Sequence, residues 1–338
     1  MDPVDALRRI AYLLEAEGAG TYKVRAFRNA ATTLADQSPA HIEELALSGR
    51  LTSLPGIGDS TATAVKEALA GDEPAYLTEL TRRAEPPPKG PVAKLRKLLR
   101  GDCHSHSDWS DGGSPIREMA EAARQLGHEY WALTDHSPRL TVAHGLNPQR
   151  LRQQLEVVAA LNEELAPFRI LTGIEVDILE DGRLDQDEDL LAQLDIVVAS
   201  VHSKLSMDTG PMTRRMVAAI ESPHTDILGH CTGRKVVGQG RPQSHFDADT
   251  VFAACARTGT AVEINSRPER RDPPEPLLRQ ALALGCLVSI DTDAHAPGQL
   301  EWLRNVCAQA VEADTPTDRI VNAWPLPELL AWTAGHAA

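Results

Sequence analysis

The spacing of apolar residues divides the chain into two stretches with different predicted secondary structure. In the first stretch, apolar residues recur with the helical period from Val4 to Leu14 and again from Tyr22 to Leu34. An alanine-rich helical stretch follows and ends near Leu69. The first 84 residues are therefore predicted to form a small all-α domain.

After residue 100 the pattern alternates between short apolar strands and amphipathic helices. The predicted strands are 101–105, 129–134, 170–177, 195–201, 225–230, 260–265 and 286–291. The helices between them include 115–126, 148–166 and 247–257. Seven successive β/α units predict an α/β fold, a closed parallel barrel over residues 101–338. In such barrels the active site lies where the strands end.

A proline-rich segment separates the two stretches. Its sequence, EPPPKGP, starts at Glu85, and residues 85–100 carry five lysines and arginines against this single acidic residue. Consecutive prolines hold a chain extended and stiff. We therefore predict a basic linker over residues 85–100, between a helical domain at 1–84 and the barrel at 101–338.

Composition limits the class of protein. Apolar residues make up 42% of the chain and charged residues 24%, which supports a packed core and excludes wholesale disorder. No apolar run reaches the roughly 18–20 residues of a membrane helix. The N-terminus lacks the pattern of a signal peptide, and the five cysteines are scattered without a CxxC pair. We expect a cytoplasmic protein in a reducing compartment.

Charge is distributed unevenly. The net charge is −14, and residues 101–338 hold 20 basic against 35 acidic residues. An acidic surface repels nucleic acid. Two interpretations of this acidity remain open, solubility and the binding of cations.

Ionisable side chains collect where the predicted strands end. One histidine after a strand is a weak signal, but the HxH pair at 104–106 and the DxH pair at 293–295 place two side chains on one face of an extended chain. Six of the 12 histidines fall at such positions. The candidate metal ligands are His104, His106, Asp111, His136, Glu175, His202, His230, Asp293 and His295.

These ligands are too many for one ion, because zinc takes about four and manganese or iron up to about six. Imidazole and carboxylate donors without thiolate suit Mn, Zn or Fe. We predict two to three divalent ions, with Glu175 as the bridging carboxylate. Such clusters generate hydroxide near neutral pH and stabilise both oxygens of a phosphate ester that is being cleaved.

The ligand pattern resembles that of the PHP (polymerase and histidinol phosphatase) superfamily. The strings LTDHSPRLTVAHGLNP, GIEVDIL, SVHSK, MTRRM, DILGHCTGR and VEINSRP are most similar to the PHP domain of bacterial family X DNA polymerases. This resemblance covers residues 101–338 and implies a distorted (β/α)7 barrel with a trinuclear metal site. It implies a phosphoesterase, with 3′→5′ exonuclease or 3′-end processing in polymerase-linked members and phosphomonoester hydrolysis in others.

Further residues are candidates for the catalytic site beside Glu175. We expect the cations to contact the phosphate, with surface ion pairs as the alternative. The two aspartates next to ligands would orient an imidazole or act as acid or base, and support of the ligands is the preferred role. These candidates are Arg139, Lys204, Arg234 and Arg267 for phosphate, and Asp135 and Asp177 beside the ligands.

The first domain resembles the helix-hairpin-helix domain of the same polymerases, in YKVRAFRNAATTL and LTSLPGIGDSTATAVKEAL. Glycines in such a hairpin let backbone N–H groups approach a phosphate. A helix-turn-helix module that serves only packing is the alternative. The candidate DNA-binding residues are Gly56, Gly58, Lys23, Arg25 and Arg28.

Two departures from those polymerases stand out. Ala64 occupies the position of the lyase lysine, so lyase activity is not expected. Only the segment 85–100 stands where the polymerase palm and fingers would lie, so we expect no polymerase activity.

Three functions remain. The first is a phosphoesterase that processes DNA ends in repair, although the helical domain, with 9 basic against 12 acidic residues, predicts weak and salt-sensitive DNA binding. The second is a small-molecule phosphatase acting on histidinol phosphate or another phosphomonoester. The third is a non-catalytic repair scaffold. No membrane partner is expected, and the oligomeric state is open, since this length is compatible with a monomer.

Overall fold

The computed structural model describes residues 1–336, which divide into two compact units. The first unit comprises Met1–Pro87 with Pro297–Gln299, and the second comprises the rest of the described chain. No helix within residues 1–336 is long and apolar enough to cross a membrane. Each of the five cysteines is buried with a free thiol.

The first unit is helical. Asp2 begins its first helix by accepting hydrogen bonds from the backbone N–H groups of Val4 and Asp5, which would otherwise lack partners. The apolar positions of the sequence pattern, including Leu7, Ile10 and Leu14, are fully buried in one core. The helices are α1 (Pro3–Ala16), α2 (Thr21–Ala35), α3 (Pro39–Leu47), α4 (Asp59–Leu69) and α5 (Ala75–Arg83).

The second unit is a parallel barrel surrounded by helices. Its strands are β1 (Gly101–Asp102), β2 (Tyr130–Leu133), β3 (Arg169–Asp177), β4 (Ile196–Ser200), β5 (Ile227–Leu228), β6 (Ala261–Asn265) and β7 (Val288–Asp291). Its helices are α6 (Gly90–Leu98), α7 (Ile116–Gln125), α8 (Pro148–Leu165), α9 (Glu188–Leu191), α10 (Thr209–Ile220), α11 (Ala248–Thr258), α12 (Glu275–Ala283), α13 (Leu303–Glu312) and α14 (Leu326–His336).

The strands pair in chain order from β1 to β7, each parallel to its neighbour. Backbone bonds just beyond the first and last strands nearly close the ring. Asp293 N donates to His104 O at 2.9 Å, and His106 N donates to Ala294 O at 2.8 Å. The predicted α/β barrel preceded by a helical domain is confirmed.

The first strand is shorter than the predicted 101–105. Its next backbone N–H groups bond to side chains instead of a neighbouring strand: Cys103 N donates to Asp291 at 2.7 Å, and Ser105 N to Thr134 Oγ1 at 3.0 Å. Sequence periodicity cannot show this substitution of side-chain oxygens for a strand partner.

The segment predicted as a linker contains helix α6. Pro91 is compatible with this helix because the first helical turn needs no proline N–H. Leu95 and Leu99 are buried in an apolar cluster with Leu303 and Val306 of α13. Within the predicted linker, residues 85–89 and 99–100 lack regular structure.

Candidate metal centre

The predicted ligands meet at the end of the barrel where the strands terminate. Glu175 lies within β3, and the others follow β1, β2, β4, β5 and β7. Most are buried, and Asp111 is the most exposed, with 36% of its side chain accessible. Parallel strands bring residues that are far apart in sequence to one edge.

Glu175 is the centre of this group. Its Oε1 lies 3.2 Å from His202 Nε2 and 2.8 Å from His230 Nε2. Its Oε2 lies 3.4 Å from His104 Nε2 and 3.6 Å from His106 Nε2. His136 Nδ1 also lies 2.8 Å from Oε2. The two carboxylate oxygens therefore face two different sets of histidines, which is the arrangement expected of a bridging ligand.

A further set of donors surrounds Asp111. Its Oδ1 lies 3.5 Å from His136 Nε2 and 3.3 Å from His295 Nε2. Asp293 Oδ1 lies 3.4 Å from His106 Nε2 and 3.5 Å from His295 Nδ1, between this set and the Glu175 group. All nine predicted ligands thus lie in one continuous cluster.

The donor set fits divalent ions. The ring nitrogens His202 Nε2 and His136 Nδ1 face Glu175 at 3.2 and 2.8 Å, yet they are buried and have no hydrogen-bond partner. Donor atoms crowded together without hydrogen bonds are what a cation would satisfy. Three groups have ligand atoms within 4.8 Å of one another: His106, Asp111, His136 and His295; His104, His106 and Glu175; and His136, Glu175 and His202.

Charge in the cluster is shared between carboxylates and imidazoles. Burial alone would raise the pKa of Glu175, but His202, His104 and His136 hold it well below its usual value. Burial, together with the imidazoles of His295 and His136, lowers the pKa of His106 well below its usual value. For His104 and His202 burial is outweighed by carboxylates: Glu263 and Glu175 raise the pKa of His104, and Glu175 with Asp177 raises the pKa of His202 to about 9. Metal binding would therefore release protons from these two rings.

His295 Nδ1 lies 2.8 Å both from the backbone oxygen of Asp293 and from Arg267 Nη1, which can only donate, so its contacts do not fix one tautomer. His104 is oriented by a hydrogen bond at Nδ1, which lies 2.6 Å from Glu263 Oε1. A proton held at Nδ1 leaves Nε2 as the metal ligand. Glu263 also accepts from His230 N at 2.5 Å.

Glu263 is a functional residue that the sequence analysis missed. It is fully buried in β6, where the string VEIN places a carboxylate among apolar residues. The sequence did contain a signal for Glu263. It is an acidic residue within an apolar strand pattern, two positions before Asn265.

The predicted aspartates beside the ligands both support the cluster. Asp135 accepts from Ser107 Oγ at 2.6 Å and from Gln154 Nε2 at 2.7 Å, which fixes the turn before Asp111. Asp177 accepts from His202 N at 3.1 Å. These contacts favour the supporting role over that of an acid or base, and the role itself stays a prediction.

The predicted phosphate contacts separate into three kinds. Arg267 reaches the cluster, with Nη1 2.8 Å from His295 Nδ1 and 3.1 Å from Asp293 O. Arg139 and Lys204 are exposed and do not contact the ligands in the described structure.

Arg234 has a different role from the predicted one. Its Nε donates to the backbone oxygen of Arg270 at 3.1 Å, and its Nη2 donates to that of Arg271. The guanidinium therefore holds the loop after β6, because backbone oxygens take up its donors.

Arg270 is a second residue that sequence reasoning missed. Its Nε donates to Asp293 Oδ2 at 3.1 Å, and its side chain is only 14% exposed. Within residues 1–336, its two terminal nitrogens have no hydrogen-bond partner, so they remain available to an anion at the centre. The run of arginines at 267–271 gave no sign of which would point inward.

The predicted DNA-binding residues lie in the first unit. Gly56 has φ of +76°, which favours glycine, and Gly58 directly precedes α4. Lys23 lies over the Tyr76 ring at 4.7 Å. Arg25 is exposed.

Arg28, also predicted to bind DNA, forms an ion pair instead. Its Nε and Nη2 donate to the two carboxylate oxygens of buried Glu15 at 2.7 and 2.8 Å. This paired geometry commits the guanidinium to the fold of the first unit.

Comparison with known proteins identifies both units. Residues 1–73 match the model of a helix-hairpin-helix domain, and residues 102–267 match the model of the PHP domain. A probable phosphatase of Thermoanaerobacter sp. is 31% identical over 232 residues, which cover 65% of this chain and 89% of that protein. The chain belongs to the PHP family.

The DNA polymerase/3′-5′ exonuclease PolX of Bacillus subtilis is 42% identical over 234 residues, which cover 69% of this chain. The chain spans only 41% of that protein's length. The names of these relatives bear out the predicted class, a hydrolase of phosphate esters.

One solved structure was also found by comparison of folds. It is histidinol phosphate phosphatase from Lactococcus lactis, complexed with zinc, L-histidinol and phosphate. The match has a TM-score of 0.42 and 18% identity, and covers 63% of this chain and 94% of that one.

Proposed function

We propose that the protein is a metal-dependent phosphoesterase that processes DNA ends, with 3′→5′ exonuclease or 3′-phosphatase activity. The observation that carries this proposal is the convergence of nine donor residues in one cluster, in which the two oxygens of Glu175 face separate sets of histidines. The likeness to a polymerase/3′-5′ exonuclease supports DNA as the substrate. The helix-hairpin-helix domain supports DNA as a partner.

The donor groups suit three ions. One would lie among His104, His106, Glu175 and Asp293, a second among Glu175, His202 and His230, and a third among Asp111, His136 and His295. Nitrogen and carboxylate ligands suit Mn, Zn or Fe. When bound, such ions supply Lewis acidity that lowers the pKa of water and neutralises phosphate oxygens.

The chain's own residues prepare this centre in two ways. Glu263 accepts the Nδ1 proton of His104, so this ring presents Nε2. Arg270 and Arg267 lie beside Asp293 with guanidinium groups that can donate to a phosphate. Charge that develops on the leaving oxygen is stabilised by such fixed donors.

A second candidate function is hydrolysis of a small phosphomonoester such as histidinol phosphate. It is favoured by the probable phosphatase that matches over most of its own length. One assay separates the two functions. The Mn²⁺-supplemented protein is given 5′-labelled DNA in one reaction and histidinol phosphate in another, and the His104→Ala protein is the control.

We expect stepwise shortening of the DNA, absent in the control. Phosphate release from histidinol phosphate with intact DNA would instead establish the second function. Activity on neither substrate would leave the scaffold role.

The ligands themselves give the first prediction. Changing His104 or Asp293 to Ala should abolish hydrolysis, because each removes a donor from a shared cluster, and should leave DNA affinity largely intact. Turnover and DNA binding are measured on the same preparations. Turnover that survives both changes would contradict the metal-centre assignment.

A further inference from the structure

Two neighbouring loops at the barrel mouth gather positive charge in a chain whose net charge is −14. One loop follows β5, the other follows β6, and these two strands are paired. We call Lys235, Arg241, Arg270 and Arg271 the basic rim. The first two residues belong to the loop after β5 and the last two to the loop after β6.

Lys235 and Arg241 face each other across a small antiparallel hairpin. Lys235 N donates to Arg241 O at 2.9 Å, and Arg241 N donates to Lys235 O at 2.8 Å. Residues that exchange both bonds carry their side chains on the same face. Like charges in this position repel each other, and this repulsion destabilises the folded hairpin. An anion bound between the two side chains would offset the repulsion.

The hairpin is fixed to the loop that reaches the metal centre. Val236 N donates to Glu269 O at 2.7 Å, and Arg234 donates to the backbone oxygens of Arg270 and Arg271. Arg270 in turn donates to the candidate ligand Asp293. The basic rim therefore continues from the ligand cluster outward across two connected loops.

Carboxylates in these loops do not neutralise the hairpin. Glu269 lies 3.6 Å from Arg267, and Asp272 is buried against Thr232. Lys235 is exposed and has no ion-pair or hydrogen-bond partner for its ammonium group within residues 1–336. Arg241 Nε donates to the backbone oxygen of Gly233 at 2.7 Å, while its two terminal nitrogens have no partner in this part of the chain. Partial burial and then the nearby cations, Arg270 first, lower the pKa of Lys235.

A substrate with one phosphate would be neutralised within the cluster and by Arg270. Lys235 and Arg241, which lie further out, would then be neutralised only by a second anionic group on the same molecule. A nucleic acid strand supplies one at every nucleotide. We propose that Lys235 and Arg241 bind the phosphate adjacent to the scissile one, so that the site takes a polynucleotide strand.

This inference rests on the proposed phosphoesterase function and assigns two residues to the phosphate next to the scissile one. The test compares 5′-labelled oligothymidylate with the 4-nitrophenyl ester of thymidine 5′-monophosphate, a diester with a single phosphate. The variant is Lys235→Gln/Arg241→Gln. We expect kcat/KM on the oligonucleotide to fall roughly 10- to 100-fold, and kcat/KM on the single-phosphate ester to stay unchanged.

Salt dependence gives a second readout. For the oligonucleotide, the slope of log kcat/KM against log salt should fall by about 0.7, the value for one phosphate of a single strand. Lys235→Arg/Arg241→Lys keeps both charges and should keep the slope. Equal losses on both substrates, or no loss on the oligonucleotide, would overturn the inference.

A matched control is Arg257→Gln/Arg279→Gln, which removes two cations from α11 and α12, where they pair with Glu221 and Glu275. It should leave both activities unchanged. If the wild-type protein cleaves neither substrate, the proposed function fails, and binding decides the inference. Fluorescence anisotropy of labelled oligothymidylate, with His104→Ala in every protein, must then show weaker binding for the Lys235/Arg241 variant than for the control. Equal affinities would overturn it.

Discussion

Glu263 has no exposed surface, and its two oxygens hold different parts of the metal centre. Oε1 lies against the ring of His104, and Oε2 accepts from the backbone of His230. A carboxylate behind a ligating imidazole fixes the ring and makes it a stronger donor. The residue thus links two candidate metal sites without being a ligand.

Replacement of this carboxylate gives a prediction at the residue scale. Glu263→Gln keeps the shape but removes the charge that accepts the His104 proton, so the affinity for metal should fall roughly 10- to 100-fold. Isothermal titration of the metal-free protein with Mn²⁺ measures it. The control is Glu275→Gln on the barrel surface, which should bind Mn²⁺ as the wild type does. An unchanged affinity in Glu263→Gln would contradict the orienting role.

The ligands were predictable from sequence, whereas their supports were only partly so. His104 and His136 could be found because strands of a parallel barrel end at one edge, so position along the chain predicts position in space. Arg270 and Arg234 could not be separated in this way. Their roles depend on which way a loop turns its side chains, and neighbouring arginines in the sequence are chemically alike.

Helix α6 shows the same limit at the scale of the element. The prolines before it favoured a linker, and its short apolar pattern gave no strong periodic signal. Tertiary packing decides the outcome, because Leu95 and Leu99 are buried with residues of α13. The long periodic helices and the seven strands were predicted within a few residues, since burial on one face is recorded in their sequences.

A buried histidine beside α6 predicts how stability depends on pH. His128 Nε2 lies 3.1 Å from Arg96 Nη2, and burial together with this guanidinium lowers its pKa to about 3. The unfolded chain binds a proton near pH 6.5, whereas the folded chain does not. Folding is therefore favoured above pH 6.5, and this part of the stability is lost as the pH falls toward 3.

Between pH 7 and pH 5, His128 should cost about 2 kcal/mol of unfolding free energy. His128→Gln can still accept from Arg96 and should remove this part of the dependence. Urea unfolding at both pH values, with saturating Mn²⁺, compares the variant with the wild type. The same loss of stability in both proteins would show that His128 is protonated in the folded state.

At the scale of the whole molecule, the chain joins a helix-hairpin-helix domain to a PHP barrel. The first unit has its own apolar core, with Leu7 and Phe27 among its buried residues. Its sequence carries more acidic than basic residues, so any affinity for DNA comes from local contacts and not from net charge.

Removal of residues 1–84 tests what this domain contributes. If it holds DNA, the truncated protein should lose roughly tenfold or more in cleavage of DNA, because backbone contacts supply much of the affinity. Hydrolysis of the single-phosphate thymidine ester should be retained. Thermal unfolding confirms that the barrel is intact. Equal effects on both substrates would rule out DNA delivery by this domain.

The barrel nearly closes between residues that follow its first and last strands, and three of these residues, His104, His106 and Asp293, are candidate ligands. His104 and His106 belong to one side of that seam, Asp293 and His295 to the other. A metal held from both sides would act as a cross-link between the two ends of the domain, much as a disulfide restricts an unfolded chain. Metal uptake and completion of the fold are then linked equilibria, so the metal supply of the cell would set the amount of folded protein as well as its activity.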